Sequence, residues 1–398
     1  MPRRTLQRLA VVLAVLVPVL FVAGIWLGGH PSSLPEPLRD ALVDDQTATL
    51  NEGLDVIEQD YYRKVDRDTL VDDSLAGAVA RLRDRFSTYL SPDEFRRYQD
   101  SSHGEFSGVG MEVTEVPAGL RISRVFPGSP AQKAGLRRGD VIVAVNGKSI
   151  AGVSSQRTTS LIRGRPGTKV TLTWRHDGQR VTQRVERAKV DAPSVTSSLR
   201  TVNGVKLGVV ELSGFTSGAH GEVRGAVDKL RDRGAKGIVL DLRGNGGGIL
   251  DEAVLVASVF ISDGTIVSID GRHRDRRVYR ASGGAIPRSV PVDVLVDEGT
   301  ASASEIVAGA IQDRKRGEVV GTRTFGKGVF QEVRELRNGG ALDITVGEYF
   351  LPSGRNLGGG GTRRGQGIKP DVPAQDNPRT APDEGLQAAL RTLAAQTR

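Results

Sequence analysis

Cysteine is absent from the 398 residues, which excludes disulfides, thiol nucleophiles and thiolate metal ligands. Aromatic residues are scarce, with ten Phe, six Tyr and two Trp against fifty glycines. Such a balance favours tight turns and close backbone approaches over an aromatic core. Histidine occurs only at His30, His103, His176, His220 and His273, with no His-Glu-x-x-His spacing, so neither a metal nor another cofactor is expected. Only His220 and His273 fall in the later part of the chain, and neither sits in a motif that would make it the base of a Ser-His-Asp triad. The formal charge of +8 is spread among interleaved Lys, Arg, Asp and Glu rather than gathered in a block. That pattern indicates a solvated, mildly basic surface and no nucleic-acid partner.

Charge is also missing from the stretch Leu9 to Leu27, which follows Arg3, Arg4 and Arg8. At about 1.5 Å per residue, a helix of this length approaches the roughly 30 Å hydrocarbon core of a bilayer. Residues 1–29 are therefore expected to form an uncleaved, single-pass transmembrane signal anchor. The arginines place its start in the cytoplasm and everything beyond His30 outside a bacterial cytoplasmic membrane. A cleavable signal peptide is the alternative, although no clear Ala-x-Ala site follows the run.

Residues 30–104 read as a linker and a helical region. Pro31 to Pro37 is stiff, and Leu50, Leu54, Ile57 and Tyr61 recur at helical spacing, as do Leu75, Val79 and Leu82. With no evident chemistry there, packing or self-association into a homo-oligomer is its expected use. From 105 to 190 the period shortens to that of strands: Gly108-Val-Gly110-Met111 enters one strand, Leu120 to Val125 is another, and Gly139 to Val145 closes on Asn146-Gly147, a hairpin signal. From 191 to 375 strands and helices alternate, with strands at Val205 to Leu212 and Gly237 to Leu242 and helices at Gly221 to Arg233 and Leu250 to Phe260. This alternation predicts an α/β layer around a sheet. Residues 376–398 form a closing helix through Leu386, Leu390 and Leu393.

Three stretches of the α/β part can carry chemistry. Glu298-Gly-Thr-Ala-Ser302-Ala-Ser304-Glu305 opens a helix after the strand Val290 to Val296, so Ser302 lies where backbone N–H groups and the positive end of the helix dipole would stabilise developing negative charge. The same letters fit a capping box, with Ser302 as the cap and Glu305 reaching back. Asp241-Leu-Arg243-Gly-Asn245-Gly-Gly-Gly248 lies at the carboxyl end of a buried strand and can point N–H groups at a ligand oxygen. Gly321-Thr-Arg-Thr-Phe-Gly326-Lys327 satisfies the Gly-x4-Gly-Lys spacing, but Gly328 replaces the Ser or Thr that would hold magnesium and a strand comes next instead of a helix, so a nucleotide site is excluded. Lys327 is otherwise a surface lysine or, if buried among Phe325, glycines and Val329, a base with a lowered pKa.

Residues 105–190, with Gly128-Ser-Pro-Ala131, Ala134-Gly-Leu136 and Gly139-Asp140 between the strands, resemble a PDZ domain. The resemblance implies a groove that takes up an extended peptide and a loop, here Gly108, Val109, Gly110 and Met111, that holds its terminal carboxylate. Nearly everything from Phe106 to Asp371 resembles the carboxyl-terminal processing, or tail-specific, serine proteases. That likeness implies a multidomain α/β architecture with a crotonase-like layered peptidase core. It further implies Ser302 as nucleophile, Lys327 as general base, Gln331 as the residue that orients the lysine, and the N–H groups of Gly248 and Ala303 as oxyanion donors. The implied partners are protein or peptide substrates with free carboxyl termini. A PDZ adaptor that binds tails without cutting them is the alternative, and a third possibility is an enzyme whose PDZ domain blocks the site until a tail arrives.

Overall fold

The computed structural model describes residue 16 and residues 45–102, 105–153, 155–176, 178–191, 194–360, 366–376 and 383–397. Apart from Leu16, the expected membrane anchor lies outside these residues, and no described helix is long and apolar enough to cross a membrane. Contacts divide the chain into two units, residues 1–81 and 82–398. In the first, α1 (Asp45–Asp60) is followed by α2 (Arg67–Ala80), which Asp66 caps by accepting a hydrogen bond from the Thr69 N–H at 3.2 Å. Of the periodic apolar positions only Leu54 and Val79 are buried, while Leu50, Ile57 and Tyr61 are exposed.

The second unit opens with a departure from the expected helical region. Thr88–Leu90 is a strand, β1, followed by α3 (Pro92–Ser102). Thr-Tyr-Leu is strand-favouring, and Pro92, with no N–H to give, can open a helix but not lie inside one, so α3 begins there. Next comes a sheet ordered β3 (Met111–Val116), β4 (Gly119–Val125), β5 (Val141–Val145), β7 (Lys169–His176) and β8 (Gln179–Glu186), with the short β6 (Lys148–Ser149) on β5. The flanking strands β2 (Glu105–Gly108) and β9 (Ala188–Asp191) pair antiparallel, so the module's two ends lie side by side. Helices α4 (Pro130–Lys133) and α5 (Ser155–Ile162) accompany this sheet, whose core holds Leu120, Ile122, Ile142, Val170, Leu172 and Trp174. At Asn146-Gly147 both φ angles are positive, 49° and 78°, as the turn between two hairpin strands requires.

Beyond it the chain alternates through β10 (Val195–Val202), β11 (Val205–Leu212), α6 (Ala219–Asp232), β12 (Ile238–Asp241), α7 (Leu250–Phe260), β13 (Thr265–Gly271), β14 (Arg274–Arg280) and β15 (Val292–Val296). It continues with α8 (Ala303–Asp313), β16 (Val319–Gly321), β17 (Val329–Glu335), β18 (Ala341–Phe350), β19 (Val372–Pro373) and α9 (Glu384–Gln396). One six-stranded sheet runs β10-β11-β12-β15-β16-β19, parallel except for the β10/β11 pair. Its central strands β12, β15 and β16 are buried throughout because both faces are covered. Side chains of α6, α7 and α8 share a core with Val210, Leu240 and Val294 on one face, while Leu390 and Leu393 of α9 meet Leu207, Val239 and Leu295 on the other. A second, antiparallel sheet joins β1, β18, β13 and β14, with β17 also on β18. The result is a multidomain, layered α/β chain.

Candidate active site

Ser302 stands at the end of the turn that leads from β15 into α8. Its backbone is strained, at φ 56° and ψ −117°, a conformation that costs a non-glycine residue about 1–3 kcal/mol and persists only where its surroundings hold it. The holding group is Glu305, fully buried. Its carboxylate accepts the Ser302 N–H at 3.0 Å, as in a capping box, and also the Thr324 hydroxyl at 2.6 Å and the N–H groups of Gly326 and Lys327 at 2.8 and 3.0 Å. One side chain thus ties the serine turn to the lysine loop.

The glycine loop meets the serine turn from the other side. Asn245, also fully buried, donates to the Leu212 carbonyl at 2.8 Å and accepts the Gly247 N–H at 2.9 Å, while its own carbonyl accepts the Ala301 N–H and the Ser304 hydroxyl. Gly247 then passes so close to Ser302 that a Cβ on it would lie 2.9 Å from the serine Cβ and 3.0 Å from the Ala303 nitrogen. At φ 107° it also adopts a backbone that side chains resist. Gly247→Ala should therefore abolish turnover while the fold survives, checked by a peptide-cleavage assay beside a circular-dichroism spectrum; retained turnover would show that this close approach is dispensable.

The N–H of Gly248 and that of Ala303, the first residue of α8, donate to no acceptor among the described residues. Both line one cleft of about 660 Å3 with Ser302, Lys327 and Gln331. Leu250, Ile269, Ile306 and Phe330 give the cleft apolar lining. Two free donors beside a hydroxyl at a helix N-terminus are what a developing oxyanion needs.

Lys327 is half-buried, and burial pushes its amine below the usual 10.5; Asp343, Asp84 and Glu305 pull in the opposite direction. Its Nζ lies 4.9 Å from the centre of the Phe86 ring. No hydrogen bond joins it to Ser302 among the described residues, and the amine rests instead in an aromatic and acidic surround. Gln331 lies in the same cleft, but its Nε2 donates to the Thr345 hydroxyl at 2.8 Å and not to Lys327. The Tyr349 hydroxyl, in a fully buried residue, donates to the Lys327 carbonyl and fixes the loop from below.

Five residues that hold this site went unread in the sequence: Asn245, Phe86, Asp84, Asp343 and Tyr349. Asn245 alone carried a signal, since an Asn before three glycines can serve as a turn clamp. No histidine lines the cleft among the described residues. His220 instead pairs with Glu252 at 2.8 Å, tying the start of α6 to α7.

The loop Gly108 to Met111 lies apart, between β2 and β3, and none of its residues lines the Ser302 cleft. Val109 is buried, and the N–H groups of Val109 and Gly110 have no acceptor among the described residues. Gly110 turns at φ 84°, and a Cβ there would strike that of Ser129 at 2.3 Å. Two successive N–H groups without acceptors among the described residues are what an anion-binding nest requires.

The pattern of Peptidase family S41 matches residues 206–374, which include Ser302, Lys327, Gln331 and Gly248, and that of the PDZ domain matches residues 121–176. A solved photosystem II D1 C-terminal processing protease is 31% identical, with a TM-score of 0.53 over 88% of this chain and 98% of its own. The chain belongs to peptidase family S41. Within the family it is 37% identical over 320 residues to a probable CtpA-like serine protease of Staphylococcus aureus (strain COL), covering 80% of this chain. It spans only 62% of that relative's length. A corresponding protease of Staphylococcus haemolyticus is 35% identical over 319 residues, covering 79% of this chain and 62% of its own. The fold is shared with a putative S41 protease of Bacteroides fragilis, 20% identical, at a TM-score of 0.55 over 86% of this chain and 96% of that one.

Proposed function

We propose that this S41 chain is a serine endopeptidase that uses a Ser302–Lys327 dyad to cut proteins near their carboxyl termini after its PDZ domain has captured the tail. The observation that carries the reading is the junction of a strained serine, two unpartnered N–H groups and a desolvated lysine in one cleft. Neutral Lys327 takes the hydroxyl proton as Ser302 Oγ bonds to the scissile carbonyl carbon. The carbonyl oxygen becomes an oxyanion held by the Gly248 and Ala303 N–H groups. The lysine ammonium then gives its proton to the departing amine, the C–N bond breaks and an ester remains on Ser302. A water deprotonated by Lys327 attacks the ester, releasing a carboxylate and restoring the serine.

For this sequence of steps the amine must leave the Phe86 face and reach the hydroxyl. Tail capture in the Val109–Gly110 nest would raise the effective concentration of the upstream bond at the cleft. The uncharged Leu9 to Leu27 stretch behind three arginines supports attachment to a bacterial cytoplasmic membrane with the peptidase outside. Substrates are then extracytoplasmic proteins with accessible tails.

Ser302→Ala, incubated with a tailed peptide, should lose cleavage by roughly 10^4-fold or more and keep tail affinity. An unmutated chain that binds tails and cuts none would identify an adaptor instead. Amidating the peptide's terminus should weaken capture by the unmutated chain. Equal cleavage of free and amidated peptides would remove the PDZ nest from the mechanism.

A further inference from the structure

The far end of α8 closes a second cleft, of about 530 Å3, between the C-termini of α7 and α8 and the segment 285–288. Four cations line it: Arg288, Arg314, Lys315 and Arg316. Arg316 is the foundation, only 8% exposed, with Nε donating to the Phe260 carbonyl at 2.8 Å and Nη2 to that of Val290 at 2.9 Å. Among the described residues no carboxylate lies within 4 Å of Arg316, Arg288 or Lys315. A buried guanidinium is ordinarily paired with a carboxylate, so its isolation here calls for an explanation.

Helix ends supply part of it. The C-termini of α7 and α8 each carry about half a negative charge, which basic side chains offset. Asp263 adds one more, 3.9 Å from Arg314 and 89% exposed, while Asp313 is engaged elsewhere, by Arg355 at 2.8 Å and the Ser353 N–H at 3.0 Å. About two of the four positive charges remain uncompensated. The three guanidiniums are also held in place by main-chain carbonyls: Arg314 by that of Asp263 at 2.8 Å and Arg288 by that of Lys315 at 3.2 Å, besides the two on Arg316. Each fork carries further N–H groups for a ligand, and the buried Arg316 has little side-chain freedom left to lose on binding.

We propose that this cleft is a binding site for a polyvalent, phosphate-type oxyanion. Three guanidinium forks and an ammonium suit the several oxygens of a phosphate group, whereas one carboxylate would offer only two. The site is distinct from both the Ser302 cleft and the Val109–Gly110 nest, and nothing in the proposed proteolysis requires it.

Inorganic pyrophosphate titrated into the full chain by calorimetry should bind saturably and more weakly as salt rises. The double variant Arg288→Gln/Lys315→Gln, whose two side chains are exposed and so leave the fold intact, should weaken binding at least about tenfold. Arg276→Gln/Arg277→Gln, which removes the same charge from exposed positions of β14, should change it less than about twofold. Vesicles containing phosphatidylglycerol, compared with phosphatidylcholine alone, distinguish the source: binding to the former that the first double variant weakens assigns the oxyanion to a lipid headgroup. No saturable binding to pyrophosphate or to either vesicle, or an equal loss in both double variants, would overturn the proposal.

Discussion

Lys327→Met should lower turnover of a tailed peptide by roughly 10^4-fold, leave tail affinity unchanged and leave the thermal midpoint no lower than in the parent. Methionine fills much of the same volume without the charge that burial penalises, so lost activity cannot be attributed to a damaged fold. In the parent, activity should rise with pH through the amine's pKa, which burial places below the usual 10.5. Asp343 and Asp84 both favour the ammonium, and so does the Phe86 ring face. Asp343→Asn should accordingly move the rise in rate to lower pH. A limb that stays in place, or a methionine variant that still cuts, would remove Lys327 from the role of base. The same burial affects stability. Between the lowered folded value and 10.5 the unfolded chain holds a proton that the folded chain has released, so stability rises with pH across that window and falls as pH drops through the folded pKa.

Glu305→Ala should cost about 3–5 kcal/mol of stability, read from urea unfolding, because four donors lose their buried acceptor together. Turnover should fall by at least about 10^2-fold even at temperatures where the variant is folded, since Ser302 and Lys327 would no longer be held in one frame. Burial pushes the Glu305 carboxyl above the usual 4.5, and its hydrogen bonds from Thr324, Lys327, Gly326 and Ser302 hold it down. Glu305→Gln preserves the volume but turns an NH2 group toward donors, so its stability should fall between parent and alanine. If the alanine variant matches the parent in both measurements, the residue is a helix cap and no more.

The elements of the α/β core were legible because apolar runs of strand length alternate with helix-length segments and turn residues separate them. Val205 to Leu212 is strand over the expected residues, Leu250 to Phe260 is helix, and the Asn146-Gly147 turn has the backbone its dipeptide prescribes. Ser302 was legible as the mouth of a helix for the same reason. Glu305 reads as half of a capping box, which it is, but three of its four donors are not a helical turn away and periodicity cannot reveal them. The surround of Lys327 was hidden further still, since Phe86 and Asp84 precede it by more than two hundred residues. Spacing gives the helix but not its burial: Leu50 and Ile57 in α1, and Tyr61 just beyond it, face solvent, while Thr88 to Leu90 forms β1 because β18 offers an edge to pair with. Gln331 shares the cleft, but the choice between Lys327 and Thr345 as its partner depends on side-chain geometry that no spacing encodes.

The pairing of β1 with β18 sets a timetable for biosynthesis. Thr88 lies opposite Asp343, and the Ser87 hydroxyl accepts the Thr345 N–H from 258 positions away. A ribosome has therefore to deliver those 258 further positions before the aromatic cover over the amine can be fastened, and closing so large a loop is among the slower events of folding. A chain cut short before β18 would carry Ser302 and Lys327 without that seal, and so would lack the dry pocket on which attack by the serine depends.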